Sequence, residues 1–183
     1  IKTIYSVLLC ALCLLLNTDF PFIPIQITLI DAVIEGFPAF FMSFERNDRK
    51  VEGTFLGSAM RAALPNSVAI FLCCTAIFLA APALGVDRAQ ANLLMYLTVG
   101  IISLAGVVKA SLPLNPLRAF LSAASVLGFF GAVLLFSSLL QLPSLGLAGA
   151  RLLPLVVLPG VLLAVLWKMP VPQKKPVYGR HGA

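Results

Sequence analysis

The chain has 183 residues, of which 60% are hydrophobic and only 11% are charged, and its mean hydropathy is +1.02. Soluble domains carry about 25% charged residues, so this composition excludes a water-facing globular fold. The formal net charge of +6 does not indicate a nucleic-acid partner, because the basic residues collect in short loops and near the C-terminal end without forming an aromatic-basic platform. Long continuous apolar runs predict instead an all-α integral membrane protein whose surroundings are a lipid bilayer.

Six stretches are apolar enough to cross a bilayer as helices, with about 20 residues as the required length. They are residues 1–17, 22–44, 63–86, 91–112, 118–141 and 148–168, and a cytoplasmic tail follows over 169–183. The first stretch is short for a span, which is typical of a helix truncated at its N-terminal end. Segments rich in proline and glycine, such as "ERNDRKVEGTFLGSAMR", "SLPLNP" and "QLPSLGLAGA", are predicted to be the connections.

Lysine and arginine are distributed unequally between the two sets of loops. The first set, with the tail, contains Arg46, Arg49, Lys50, Arg61, Lys109, Arg118, Lys168, Lys174, Lys175 and Arg180. The opposite loops contain only Arg88 and Arg151. Because cytoplasmic loops carry the excess of positive charge, we expect both termini to face the cytoplasm. The predicted location is a bacterial plasma membrane.

Two acidic residues lie at membrane depth in the second span, "PIQITLIDAVIEGFPAFF". Asp31 and Glu35 are four residues apart and therefore share one face of a helix. A charge at mid-bilayer costs at least about 2.5–3.5 kcal/mol, so such residues typically face the protein interior and mark an ion or proton path. Two carboxylates this close repel each other unless one is protonated or a cation lies between them.

Gly36 and Pro38 follow the acids and predict an interruption of the second helix. Pro38 has no N–H, so the carbonyl of Ile34 loses its helical donor, and Gly36 lets the backbone leave helical geometry at low cost. Freed carbonyls and two carboxylates are hard oxygen ligands of the kind that calcium and magnesium prefer. Two alternatives stay open: a path for protons alone, and a structural pairing of the acids with Lys2 or an arginine.

The stretch "PIQITLIDAVIEGFPAFFMSFE" resembles the sixth membrane helix of P-type cation-transporting ATPases of the calcium-pump-like group. That helix has a Pro-x-Gln start, two polar or acidic ligands one turn apart, and Gly-x-Pro before a cytoplasmic loop. "IKTIYSVLLCALCLLLNTDFPF" is similar to the end of the fifth helix and its outer loop, and the other four spans correspond to helices seven to ten. The resemblance covers essentially the whole chain and implies the C-terminal transmembrane half of such a pump.

The resemblance implies a set of cation ligands. Asp31 and Glu35 match the two main ligand positions of the sixth helix, and Val33–Gly36, which includes the Ile34 carbonyl, matches the segment that is unwound around the ion. Thr3 and Ser6 match the fifth-helix ligand positions, although they supply hydroxyls where calcium pumps with two sites have an amide and a carboxylate.

Two further features bear on the number and charge of the ions. The fourth span, which corresponds to helix eight, has no acid, and this departure implies one bound cation per cycle. Lys2 lies four residues before Ser6 and is a candidate counter-charge for the empty site. The alternative is a lysine whose ammonium extends to the membrane boundary.

The chain lacks the parts of such a pump that react with ATP. It contains no Asp-Lys-Thr-Gly-Thr phosphorylation sequence, no Thr-Gly-Glu loop and no Walker-type phosphate loop. The resemblance places those parts, with bound ATP and magnesium, in cytoplasmic domains and helices one to four, which are the expected partners. The sequence predicts the membrane ion-binding half of an ATP-driven cation pump, and the alternatives are a six-helix channel or ion-coupled carrier, or an assembly subunit.

Overall fold

The computed structural model describes residues 2–44, 55–112, 115–143 and 147–166, and every regular element in these ranges is helical. The elements are α1 (Lys2–Leu15), α2 (Pro24–Ile30), a π-helical segment (Asp31–Gly36), α3 (Phe37–Met42), α4 (Phe55–Ala83), α5 (Arg88–Ala110), α6 (Pro116–Leu135) and α7 (Leu147–Leu166). For the described residues, the predicted all-helical class is confirmed.

Four helical stretches in the described ranges are long and apolar enough to cross a membrane: Pro24–Met42, Ala63–Ala83, Arg88–Ala110 and Pro116–Leu135. Two shorter apolar helices, Lys2–Leu15 and Ala150–Leu163, coincide with the first and sixth predicted spans. The chain is therefore a membrane protein. The count of six complete spans stays a prediction, since the two short helices do not reach the required length.

Two helices end or begin at residues other than the predicted span limits, although the membrane-spanning part of α4, Ala63–Ala83, begins where the third span was predicted. Helix α4 begins at Phe55, so the second part of the predicted connection "ERNDRKVEGTFLGSAMR" continues the helix of the third span. Helix α6 ends at Leu135, before the predicted boundary at 141, and turns follow it. Residues 45–54 of the first predicted cytoplasmic loop and the predicted tail over 169–183 lie outside the described residues.

Helices α4, α5 and α7 pack against one another and form the centre of the bundle. Their contact faces contain fully buried apolar side chains such as Ile70, Leu94 and Ile102. Small residues let the helices approach closely, as at Gly100, where the Phe129 ring of α6 occupies the space of a Cβ. Helix α1 packs on α4, whereas the second predicted span packs on α5 and α6.

The second span changes from α-helical to π-helical hydrogen bonding at Asp31 and returns to α-helix at Phe37, without being unwound. The backbone stays right-handed helical at both junctions, with φ −58° and ψ −48° at Ile30 and φ −59° and ψ −54° at Phe37. The unwound segment that the resemblance implied for Val33–Gly36 is therefore wrong, because these residues lie inside the π-helical segment. A π-helical segment accommodates Pro38 by shifting the hydrogen bonds by one residue, so the helix need not open.

Candidate cation site

The π-helical segment and Pro38 together change which carbonyls of the second span receive a backbone hydrogen bond. The Phe37 N–H donates to the carbonyl of Ala32, five residues back. Pro38 follows and has no N–H, so position 38 gives no hydrogen bond to Ile34, four residues back, or to Val33, five residues back. The predicted loss of a donor at the Ile34 carbonyl stays a prediction. Single π-helical turns inside α-helices are frequent at functional sites.

Gly36 is the last residue of the π-helical segment and lies close to the backbone carbonyl of Asp31. A Cβ at this position would lie 3.1 Å from the Asp31 carbonyl oxygen, which is tighter than ordinary van der Waals contact. Glycine is the residue that allows the backbone to approach the carbonyl without displacing it. The geometry of the segment between the two acids thus depends on the absence of a side chain at this point.

Asp31 and Glu35 are half-buried and lie beside the buried stripe of the second span. One oxygen of Asp31, Oδ2, forms an ion pair with Lys2 Nζ, and the other, Oδ1, is buried without a hydrogen-bond partner among the described residues. The Glu35 side chain forms no hydrogen bond or ion pair with the residues that the structure describes. The two carboxylates are therefore only partly neutralised.

Helix α1 contacts the site through Lys2, which pairs with Asp31. The Tyr5 side chain is 1% exposed and lies three residues after Lys2 on the same face of α1. The Ser6 hydroxyl is buried without a hydrogen-bond partner among the described residues. The structure thus pairs Lys2 with Asp31, and Ser6 follows Lys2 by one helical turn on the same side of α1. The role of Ser6 as a cation ligand stays a prediction.

Thr3 differs from the other predicted ligands. Its side chain is exposed, and it lies to one side of the buried stripe of α1 that contains Tyr5 and Leu9. The role of Thr3 as a cation ligand stays a prediction.

The donor set fits a hard cation better than a soft one. Within the described ranges, no group of three or more histidine, cysteine, aspartate or glutamate side chains is arranged to hold a metal ion. A cation beside Asp31 and Glu35 would therefore depend on two carboxylates supplemented by carbonyl and hydroxyl oxygens. Two oxygens already buried without partners, Asp31 Oδ1 and Ser6 Oγ, are of this chemistry.

Two residues near the site were not singled out from the sequence. Tyr5 is three residues after Lys2 on the same face of α1, and this helical spacing could have identified it. Gln26 stands in the Pro-x-Gln start of the second span, and its burial follows from the four-residue spacing to Ile30 and Ile34. Neither residue has the acidic or metal-ligating chemistry that directed attention to Asp31 and Glu35.

The sequence is similar to two bacterial transport ATPases. It is 38% identical over 142 residues to a probable cation-transporting ATPase, exp7, of Streptococcus pneumoniae serotype 4, and the alignment covers 73% of this chain. It is 31% identical over 150 residues to the calcium-transporting ATPase CtpE of Mycolicibacterium smegmatis, and that alignment covers 74% of this chain. No family model matches the chain. No solved structure matches it either.

A helical membrane domain with paired acids on one face of a π-helical span has the architecture of an ion-transport protein. The two relatives confirm the family predicted from the sequence, and the chain belongs to the P-type cation-transporting ATPases. It covers only 18% and 19% of the lengths of these relatives, so it corresponds to a part of such a pump.

Proposed function

We propose that this chain is the ion-binding part of the membrane domain of an ATP-driven cation pump. It holds one hard cation between the carboxylates of Asp31 and Glu35 and the carbonyls of Val33 and Ile34. The observation that carries this proposal is the position of the two acids on a π-helical segment of a membrane span, with Asp31 Oδ1 buried and unpartnered. Calcium is the first candidate cation, because one relative is named as a calcium-transporting ATPase. Magnesium and a proton are the alternatives.

The proposed ligands suit the charge and the coordination habits of calcium. Two carboxylates balance a divalent charge, and calcium takes about 6–8 oxygen ligands in flexible geometry. The carbonyls of Val33 and Ile34 receive no hydrogen bond from Pro38 and can turn toward a cation. Ser6 adds a hydroxyl from the neighbouring helix, and Thr3 is a further hydroxyl if α1 rotates.

Lys2 acts as the counter-charge of the empty site in this proposal. Its ammonium is paired with Asp31, so the acid does not stand alone at membrane depth when no cation is bound. An arriving cation competes with the ammonium for the same carboxylate and displaces it. The pair therefore keeps the empty site closer to electrical balance.

The arrangement on two helices explains how ATP hydrolysis would act on the site. Lys2 and Ser6 lie on α1, whereas Asp31 and Glu35 lie on the second span. Phosphorylation of a cytoplasmic domain elsewhere in the pump would shift these helices relative to each other. Such a shift changes both the oxygens around the cation and the distance to the Lys2 ammonium, and therefore the affinity.

The test is calcium-stimulated ATP hydrolysis by the full-length pump at fixed magnesium-ATP. Asp31→Asn and Glu35→Gln should each abolish the stimulation while the protein still inserts in the membrane. Asp19→Asn is the matched control, because Asp19 is an exposed acid in the outer connection. Normal calcium activation in both site variants would refute the assignment. Calcium flux through the wild type without ATP would favour the channel alternative.

A further inference from the structure

A buried glutamine joins the second span to the connection between α6 and α7. Gln26 is 7% exposed and uses both ends of its amide. Its Nε2 donates to the carbonyl oxygen of Leu140 at 2.9 Å, and its Oε1 accepts from the Ile23 N–H at 3.3 Å. Buried polar groups are costly to leave unpaired, so both bonds hold the amide in one orientation.

The acceptor of this bond belongs to a tightly bonded turn. The Leu140 N–H donates to the carbonyl of Phe136 at 2.9 Å, and the Leu142 N–H donates to the carbonyl of Ser137 at 2.9 Å. Between them Gln141 has a φ of 52°, in the left-handed region that few residues other than glycine adopt. Leu140 itself is 2% exposed. The carbonyl that Gln26 contacts is therefore a fixed point of the bundle.

Gln26 is the first residue of the stripe that positions the acids. Gln26, Ile30, Ile34 and Pro38 recur every four residues and are all buried. Asp31 and Glu35 follow Ile30 and Ile34 directly. With a rise of about 1.5 Å per residue, they lie roughly 7.5 and 13.5 Å further along the helix than Gln26. A rotation or axial shift at Gln26 is therefore passed to both carboxylates.

The connection before the second span is held by a second contact. The Arg88 Nη2 donates to the carbonyl oxygen of Asp19 at 3.3 Å, and its guanidinium lies 5.2 Å from the centre of the Phe78 ring. The end of the second span that begins at Pro24 is thus tied to the bundle both through Gln26 and through the connection before it.

We infer that Gln26 is a positioning residue for the cation site, an inference that rests on the proposed function. Its bond to Leu140 fixes the outer end of the second span, and this fixes where Asp31 and Glu35 stand relative to α1. Gln26 itself does not touch the cation. Loss of the bond lets the span rotate or slide, and the cost appears in the binding of the cation.

The inference is tested with the full-length pump by titrating calcium at fixed magnesium-ATP. Gln26→Met keeps the length of the side chain and removes both hydrogen bonds. It should raise the half-activating calcium concentration about tenfold, with a maximal rate within about twofold of wild type. The control is Thr28→Val on the same span, which removes only a local bond from an exposed hydroxyl to the Pro24 carbonyl and should leave both values unchanged.

Several outcomes would overturn the inference. A folded Gln26→Met pump with the wild-type half-activating concentration contradicts it, and so does a lower maximal rate at an unchanged concentration. If that variant does not accumulate, Gln26→Asn keeps the amide one methylene shorter and should shift the concentration about threefold. If neither Gln26 variant accumulates while Thr28→Val accumulates normally, Gln26 has a role in folding only, and the positioning role is refuted. Asp31→Asn is measured in parallel, since retained activation there refutes the proposed function itself.

Discussion

Replacement of Lys2 by methionine tests the counter-charge of the proposed site. Methionine keeps a long unbranched side chain and removes only the ammonium that pairs with Asp31. A unit ion pair at about 4 Å is worth roughly 4 kcal/mol at an effective dielectric constant of 20. The Lys2 and Asp31 side chains are 40% and 34% exposed, so solvent screening reduces the pair to about 1 kcal/mol.

This magnitude gives the expected shift in cation affinity. A cation that no longer competes with the ammonium gains about 1 kcal/mol, so the half-activating calcium concentration should fall about fivefold in Lys2→Met. The assay is calcium-stimulated ATP hydrolysis by the full-length pump at constant magnesium-ATP. Lys2→Arg keeps the positive charge and serves as the control, with an expected half-activating concentration close to that of wild type.

Two results would refute the reasoning about Lys2. An unchanged calcium titration in Lys2→Met would show that the ammonium does not compete with the cation, as expected of a lysine that only extends to the membrane boundary. A higher half-activating concentration would show that Lys2 supports cation binding instead of opposing it. In either case the pairing with Asp31 would be structural.

Two further predictions concern close packing at glycines. Gly36→Ala places a Cβ 3.1 Å from the Asp31 carbonyl oxygen and should raise the half-activating calcium concentration severalfold. A calcium titration identical to that of wild type would contradict the role of the π-helical segment. Gly100→Ala places a methyl group in the space of the Phe129 ring and should destabilise the bundle by about 1–3 kcal/mol, measured as a lower thermal transition of the purified pump. Gly131→Ala, which has no atom within 4 Å of the added Cβ, is the control for both, and a transition lowered equally there would remove the packing explanation.

The predicted span limits follow hydropathy, and two of them lie close to apolar helical stretches of the structure. The second span was expected over 22–44 and is found at Pro24–Met42, and the fourth was expected over 91–112 and is found at Arg88–Ala110. Helix α4 begins at Phe55, before the predicted span at 63, because a helix can extend beyond the apolar run that crosses the membrane, which hydropathy does not detect. The end of α6 was missed because the following turn is built from apolar residues such as Leu139 and Leu140.

The candidate site was predictable only where it depends on local spacing. That Asp31 and Glu35 share a face follows from their separation of four residues. The pairing of Lys2 with Asp31 joins residues 29 positions apart, so it depends on how α1 and the second span lie in the bundle. Gly36 and Pro38 permit either an unwound segment or a π-helical one. The choice depends on the burial of Ile34 and Pro38 against neighbouring helices, which sequence pattern alone does not give.

The exposure of the two acids indicates which side of the proposed site is open. A carboxylate that faces lipid is costly, and yet Asp31 and Glu35 are half-buried beside a fully buried Ile34. The two carboxylates, two carbonyls and the Ser6 hydroxyl reach a calcium shell of about 6–8 oxygens only if all of them converge. On the proposed function, the open side is therefore where another part of the pump adds ligands and excludes lipid. Relatives more than five times the length of the matched segment have room for such a part.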